Sequence, residues 1–178
     1  MSKIAILDAS GLMSLYALDA LKHLILFFER VLIPRKVEQE FLLKFPNTEE
    51  PIAQRLLFIE QQHNLYPWLI KCQEYSNDLI ALYNTEKGID DGEAEVFAQN
   101  QHNDNSCLLI LDDQKARKLA VKRNLLKIGT LKLLAEMEIR FQLLNYYEAV
   151  QTLHEKRKFY ASQKTIDDIY TATKNQLL

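Results

Sequence analysis

Acidic side chains occur at four places in this chain where an oxygen-based chemistry could be assembled. Asp8 follows the apolar run Lys3–Leu7 (KIAIL), and Asp112-Asp113 follow Leu108–Leu111 (LLIL). Glu38 and Glu40 lie in the stretch RVLIPRKVEQEF, while Asp90, Asp91, Glu93 and Glu95 crowd into six residues around Gly92. Carboxylate oxygens suit hard cations such as magnesium and manganese, which bind through few carboxylates together with water and substrate phosphate. Two such ions about 3.5–4 Å apart can activate water and stabilise the leaving oxygen of a phosphodiester. The pattern permits this chemistry without establishing it.

Each acid also has an ordinary structural explanation. Aspartate is favoured in the turns that end strands. Asp90 and Glu93 have the spacing of a capping box, and acids generally favour helix N-termini, although four carboxylates in six residues exceed what a cap requires. Helical spacing from Val37 and Phe41 cannot choose between Glu38 and Glu40. It leans slightly to Glu38, beside the apolar stripe, and either glutamate alone reads as a solvated side chain.

The elements that would position these acids alternate. Lys3–Leu7, Val31–Ile33, Leu108–Leu111 and a weaker Leu126–Ile128 read as strands, with a short extended stretch around Trp68–Ile70. The first, from Ile4 onward, and the third are continuously apolar, as strands covered on both faces tend to be. Between them, helical spacing appears over Leu12–Phe28 (broken near Asp19), Val37–Phe45, Ala53–Ile59, Leu79–Tyr83, the segment after Gly92, the segment after Asp113, and Leu131–Ile139. The last forty residues also read as helical. Strands alternating with helices imply βαβ crossovers: an α/β fold with a mostly parallel sheet of four to five strands and helices on both faces. In such a sheet, sites collect beyond the carboxyl ends of strands where the chain order reverses, which is where Asp8 and Asp112-Asp113 would stand.

The 178 residues are 48% apolar and 26% charged, with 22 basic and 24 acidic side chains and a pI near 6.1. Length and composition fit one folded domain, residues 1–178, and exclude disordered, collagenous and disulfide-scaffold classes. The charge balance argues against a general polyanion-coating protein. A local basic excess does occur, at Lys115, Arg117, Lys118, Lys122 and Arg123 on one predicted helix. Cys72 and Cys107 lack ligand spacing and read as reduced thiols, and the four histidines are scattered. Trp68 and the Tyr146-Tyr147 pair could stack on bases, but they read first as packing residues. No apolar run approaches the roughly 18 residues of a membrane span, and no signal-peptide core is present, so a cytoplasmic location is expected. A P-loop is absent, and Asp8 is followed by Ala9-Ser10 rather than by the D-x-D pattern of haloacid-dehalogenase-like phosphotransfer.

The ordered set ILDASGL, IPRKVEQEF, IDDGEAEVFAQN, LLILDDQKARKLA and KIGTLKLL resembles the PIN-domain superfamily. It is most similar to the prokaryotic, VapC-like subgroup with L-D-x-G-E-A-E and L-D-D-x-x-A-R stretches. The resemblance covers about residues 3–140, leaving 141–178 as a helical C-terminal extension. It implies a three-layer fold and a magnesium- or manganese-dependent ribonuclease, the toxin of a toxin–antitoxin pair. It also implies an RNA substrate, a cognate antitoxin and a homodimer. Carried across by position, Asp8, Glu40, Glu93 and Asp113 are the implied catalytic and metal-binding acids, with Asp112 an adjacent candidate that the motif does not separate from Asp113. Ser10 stands where a small hydroxyl supports the first aspartate, and Arg117, Lys118 and Thr130 are implied near the pocket mouth, within reach of phosphate. Lys132 departs from the pattern, because relatives often have glycine there. The alternative function is a catalytically silent PIN-like module that binds RNA or a protein partner.

Overall fold

The computed structural model describes residues 3–44, 68–71, 76–157 and 159–177. The helix expected over Ala53–Ile59 and the thiol of Cys72 lie outside these residues. Five strands form one sheet: β1 (Ile4–Leu7), β2 (Arg30–Ile33), β3 (Leu69–Lys71), β4 (Leu108–Ile110) and β5 (Lys127–Ile128). Their order is β3-β2-β1-β4-β5 and every pairing is parallel. The chain runs outward from β1 to β2 and β3, then returns to the other side of β1 for β4 and β5. The reversal therefore falls between β1 and β4, the two strands that end in acid.

Those two strands are buried beyond their first residues, Ile4 and Leu108. Ala5, Ile6 and Leu7 of β1, and Leu109, Ile110 and the following Leu111, have no exposed surface. An unbroken apolar run suits a strand covered on both faces. The covering helices are α1 (Ala9–Ala17), α2 (Arg35–Lys44), α3 (Asn77–Asn84), α4 (Asp91–His102), α5 (Gln114–Lys122), α6 (Thr130–Phe141), α7 (Tyr146–Arg157) and α8 (Gln163–Leu177). The break expected near Asp19 is real: Asp19 takes φ 53°, α1 stops, and a 3-10 turn over Leu21–Leu26 follows. Asn124 and Gln142, both at φ 54°, do the same after α5 and α6. Asparagine and aspartate tolerate this left-handed region better than most side chains.

The C-terminal helices are integral to the packing. Helix α7 lies against α1 and α6, and α8 lies along α6. Tyr146 is fully buried, and its hydroxyl donates to the Ile166 carbonyl at 3.1 Å while its ring packs on Tyr170. Tyr146 is thus a core residue and unavailable to a base, whereas Tyr147 beside it is 45% exposed.

Candidate active site

Asp8 does three things at the end of β1. It begins α1 as its N-cap, its carboxylate accepting the Gly11 N–H at 2.5 Å. It extends the ladder, its own N–H donating to the Ile110 carbonyl at 3.1 Å. Its second carboxylate oxygen accepts the Asp112 N–H at 3.0 Å. The side chain is only 5% exposed. Burial, reinforced by the charges of Asp112 and Glu93 and opposed by the two N–H donors, pushes the Asp8 carboxyl up to about 8.

Glu93 comes from the opposite wall. The capping box read from the sequence is formed: the Glu93 N–H donates to Asp90 at 2.9 Å and the Asp90 N–H to Glu93 at 3.1 Å. The second Glu93 oxygen has no hydrogen bond of this box, and the residue borders the same cavity as Asp8. Its carboxyl is pushed up to about 7 by burial and by the charges of Asp90, Asp113 and Glu40. The neighbouring acids have separate structural duties. Glu95 accepts the Lys36 N–H at 2.6 Å, capping α2 from α4, and Asp91 pairs with the Lys36 ammonium at 3.5 Å. These two ties fix α2 against α4 and so set the distance between Glu40 and Glu93.

Glu40, not Glu38, faces the cavity. Glu38 is 4% exposed and buried beside the apolar stripe, as the helical wheel suggested, but it does not border the cavity. The expectation that both glutamates are solvated is therefore corrected. Glu40 reaches so close over the start of α4 that a Cβ on residue 92 would stand 2.5 Å from its Oε1. Gly92 is what admits it.

The Asp112-Asp113 pair divides its work. Asp113 caps α5, its Oδ1 accepting the N–H groups of Lys115 at 2.6 Å and Ala116 at 3.0 Å, and it lines the acid cavity. Asp112 turns the other way. Its two oxygens accept the Thr130 N–H at 2.8 Å and the Thr130 hydroxyl at 2.6 Å, so it caps α6 across the sheet. Burial raises the Asp112 carboxyl, while Thr130, Arg117 and Arg157 draw it back toward the charged form.

The result is a cavity of about 260 Å3 at the reversal point of the sheet, bordered by Asp8, Ser10, Glu40, Asp90, Glu93 and Asp113. Ser10 borders it as an exposed residue, but the groups that hold Asp8 are backbone N–H donors. Thr130 is fully buried and spent on Asp112, so it is a positioning residue and not a phosphate contact. Lys118 points elsewhere, into a shallow depression with Lys87, Lys115 and Lys122. Arg123 is bound to Glu86 at 2.7 Å and lies over the Tyr83 ring. Of the basic helix face, only Arg117 approaches this end of the sheet, where it flanks Asp112 and Gly129.

One residue escaped the sequence reading. Arg157, at the end of α7, is close enough for its charge to act on Asp112 and Asp8. Its Nη1 meets the Met13 sulfur at 2.9 Å, and its Nε is buried with no hydrogen-bond partner. Nothing in the basic triplet Lys156-Arg157-Lys158 near the end of a helix announces this; only the packing of α7 on α1 delivers it.

The donor set around the cavity consists of oxygens. Several carboxylates face one another there, with no lysine, arginine or histidine among the described lining residues; two of them have raised proton affinity, and this is the environment that a hard divalent ion relieves. Asp8, Glu40, Glu93 and Asp113 fit such an ion. Among the described residues, no three aspartate, glutamate, histidine or cysteine side chains stand close enough together to hold a metal ion as they are placed. Magnesium is ordinarily held by one or two carboxylates plus substrate phosphate.

A parallel α/β sheet thus carries an acidic cavity at its reversal point, where the ligand sites of such sheets collect. A family model described as a PIN domain matches residues 4–175, and the chain belongs to that family. The match takes in α7 and most of α8, past residue 140 where the resemblance read from the motifs ends. No curated protein matches the chain. PIN domains are generally nucleases that use divalent metals. Among the described residues, no helix is long and apolar enough to cross a membrane.

Proposed function

We propose that the chain is a divalent-metal-dependent endoribonuclease, acting as the toxin of a toxin–antitoxin pair. The observation that carries the reading is the convergence of Asp8, Glu40, Glu93 and Asp113, from four separate elements, on one cavity at the sheet's reversal point. A magnesium or manganese ion held by these acids would polarise the phosphodiester and lower the pKa of water. The chain's own contribution is positioning. Two backbone N–H groups hold the Asp8 carboxylate in place, the capping box orients Glu93, and Gly92 lets Glu40 close the third side. Asp113, fixed by its cap on α5, supplies the fourth. No side chain of the cavity is required as a nucleophile, since water serves. The toxin role, a cognate antitoxin and a homodimer follow from the resemblance to the VapC-like subgroup.

The test is cleavage of a structured RNA in magnesium or manganese by wild type and Glu93→Gln, which keeps one oxygen for the Asp90 N–H. The expected loss is at least about a hundredfold, as for removal of a group central to proton or charge handling. Equal cleavage by both, or manganese binding by neither, returns the chain to the silent-module reading. Growth arrest on induced expression of wild type, and its absence with Glu93→Gln, tests the toxin role.

A further inference from the structure

A second, larger cavity opens on the other side of the Asp112–Asp113 peptide. It measures about 780 Å3 and lies between the ends of β4 and β5, helix α8 and the segment 159–162. Its charge is opposite to that of the acid cavity. Arg117, Lys127 and Lys132 contribute three cations, and the one acid in its lining, Asp112, has both oxygens bound by Thr130. At its rim stands Tyr160, 81% exposed, its ring meeting His154 edge-on at 5.9 Å and otherwise open to solvent. Next to it is Phe159, half-buried against the core.

We propose that this cavity is the subsite for the nucleotide flanking the scissile phosphate, with Lys127 and Lys132 taking the backbone phosphate and Tyr160 stacking on the base. The inference rests on the nuclease reading of the acid cavity and specifies where the strand continues from it. Consecutive Cα atoms lie about 3.8 Å apart, so Asp113 on one cavity and Asp112 on the other make the two cavities neighbours across a single peptide. The volume falls in the range of about 300–1,000 Å3 common for pockets that enclose a small organic ligand. Cations tracking the backbone combined with an aromatic platform is how single strands are held without sequence readout. Lys132 donates to Gln176 of α8 at 2.8 Å, which holds its ammonium at the cavity wall and leaves its charge intact. An acidic peptide would use the cations but gain little from the exposed ring.

The experiment measures binding and cleavage separately. Anisotropy of a labelled ten-nucleotide single-stranded RNA is followed against salt for wild type, Lys127→Ala/Lys132→Ala, Tyr160→Ala, and Lys118→Ala on the remote depression. The double substitution should reduce the slope of log affinity against log salt by about 0.7, the value for one single-strand phosphate contact. Tyr160→Ala should weaken binding about tenfold with the slope unchanged, and Lys118→Ala should alter neither. In cleavage the same cavity variants should raise KM and leave kcat near wild type. RNA binding that is unmoved by these substitutions, or a loss confined to a poly-glutamate peptide, overturns the inference. A wild-type chain that binds RNA through these residues but cuts none sinks the nuclease reading alone. Cleavage with unchanged KM in the variants sinks this inference alone.

Discussion

The N–H of Asp112 donates to the Asp8 carboxylate at 3.0 Å while the Asp112 carboxylate itself faces away, to Thr130. Two adjacent strand ends are thus joined through an acid whose charge is poorly solvated. Folding raises the Asp8 carboxyl from 3.8 to about 8 and the Glu93 carboxyl from 4.5 to about 7. Between these limits the folded chain holds protons that the unfolded chain has released.

Stability of the metal-free protein should therefore fall as pH rises from about 4 to about 8, because the folded state binds more protons throughout that window. Below the unfolded values both states are protonated and the penalty vanishes; above the folded values it is complete. For Asp8 the slope is at most about 1.4 kcal/mol per pH unit, and the more exposed Glu93 adds less. Manganese should raise Tm more at pH 8 than at pH 5, since it competes with fewer protons there. Thermal melts across pH with and without the ion check this, and a metal-free Tm that climbs steadily toward pH 8 would contradict it.

The two aspartates that sequence could not separate should part cleanly on substitution. Asn is as good a helix cap as Asp, so Asp113→Asn should leave stability within about 0.5 kcal/mol while removing a carboxylate from the acid cavity, with cleavage down at least about a hundredfold. Asp112→Asn can still accept the Thr130 N–H and donate to its hydroxyl, and should retain activity within about tenfold. Thr130→Val, by contrast, strips a buried carboxylate of one hydroxyl partner and should cost about 1–3 kcal/mol. Chemical denaturation and initial rates on the three variants distinguish the roles.

Much of this was legible in the chain itself. The apolar runs ending in Asp8 and Asp112-Asp113, the capping box at Asp90 and Glu93, and the break at Asp19 are all local patterns, and local patterns survive folding. Glu40 was not legible from periodicity, because the buried position on that face belongs to Glu38, and the cavity is entered from the helix flank that Gly92 opens. Lys118 and Thr130 were misplaced for a related reason. A basic run along a helix says nothing of which residue turns toward the site, and a hydroxyl beside a strand end can be consumed by its neighbour. Arg157 depends wholly on how α7 packs, a tertiary fact with no local signature.

Gly92→Ala should separate stability from activity. A Cβ there would collide with the Glu40 carboxylate at 2.5 Å, but that group ends a flexible side chain and can move aside. The helix gains from losing glycine, by up to about 1 kcal/mol, while the acid cavity loses the correct placement of Glu40. The expected variant melts at or above wild type and cleaves at least about tenfold more slowly, an effect of misplacing a positioned group. A variant that cleaves at the wild-type rate would remove Glu40 from the site.

Arg157→Met tests the cation that stands behind the acids. The guanidinium acts electrostatically on both Asp8 and Asp112, so it offsets part of their repulsion when no ion is bound and repels an ion that arrives. Methionine keeps much of the packing stem and removes the charge. Manganese should then bind more tightly, by about threefold to tenfold, as expected for losing a like charge near a partly solvated site. The metal-free protein should lose stability toward pH 8, where the carboxylates of Asp8 and Glu93 become charged with less to balance them. Arg157→Lys retains the charge and should restore the wild-type metal affinity even if packing against Met13 is poorer. Calorimetric manganese titrations on the three proteins decide the matter: equal affinity in wild type and Arg157→Met would mean that the arginine only fills space between α7 and α1.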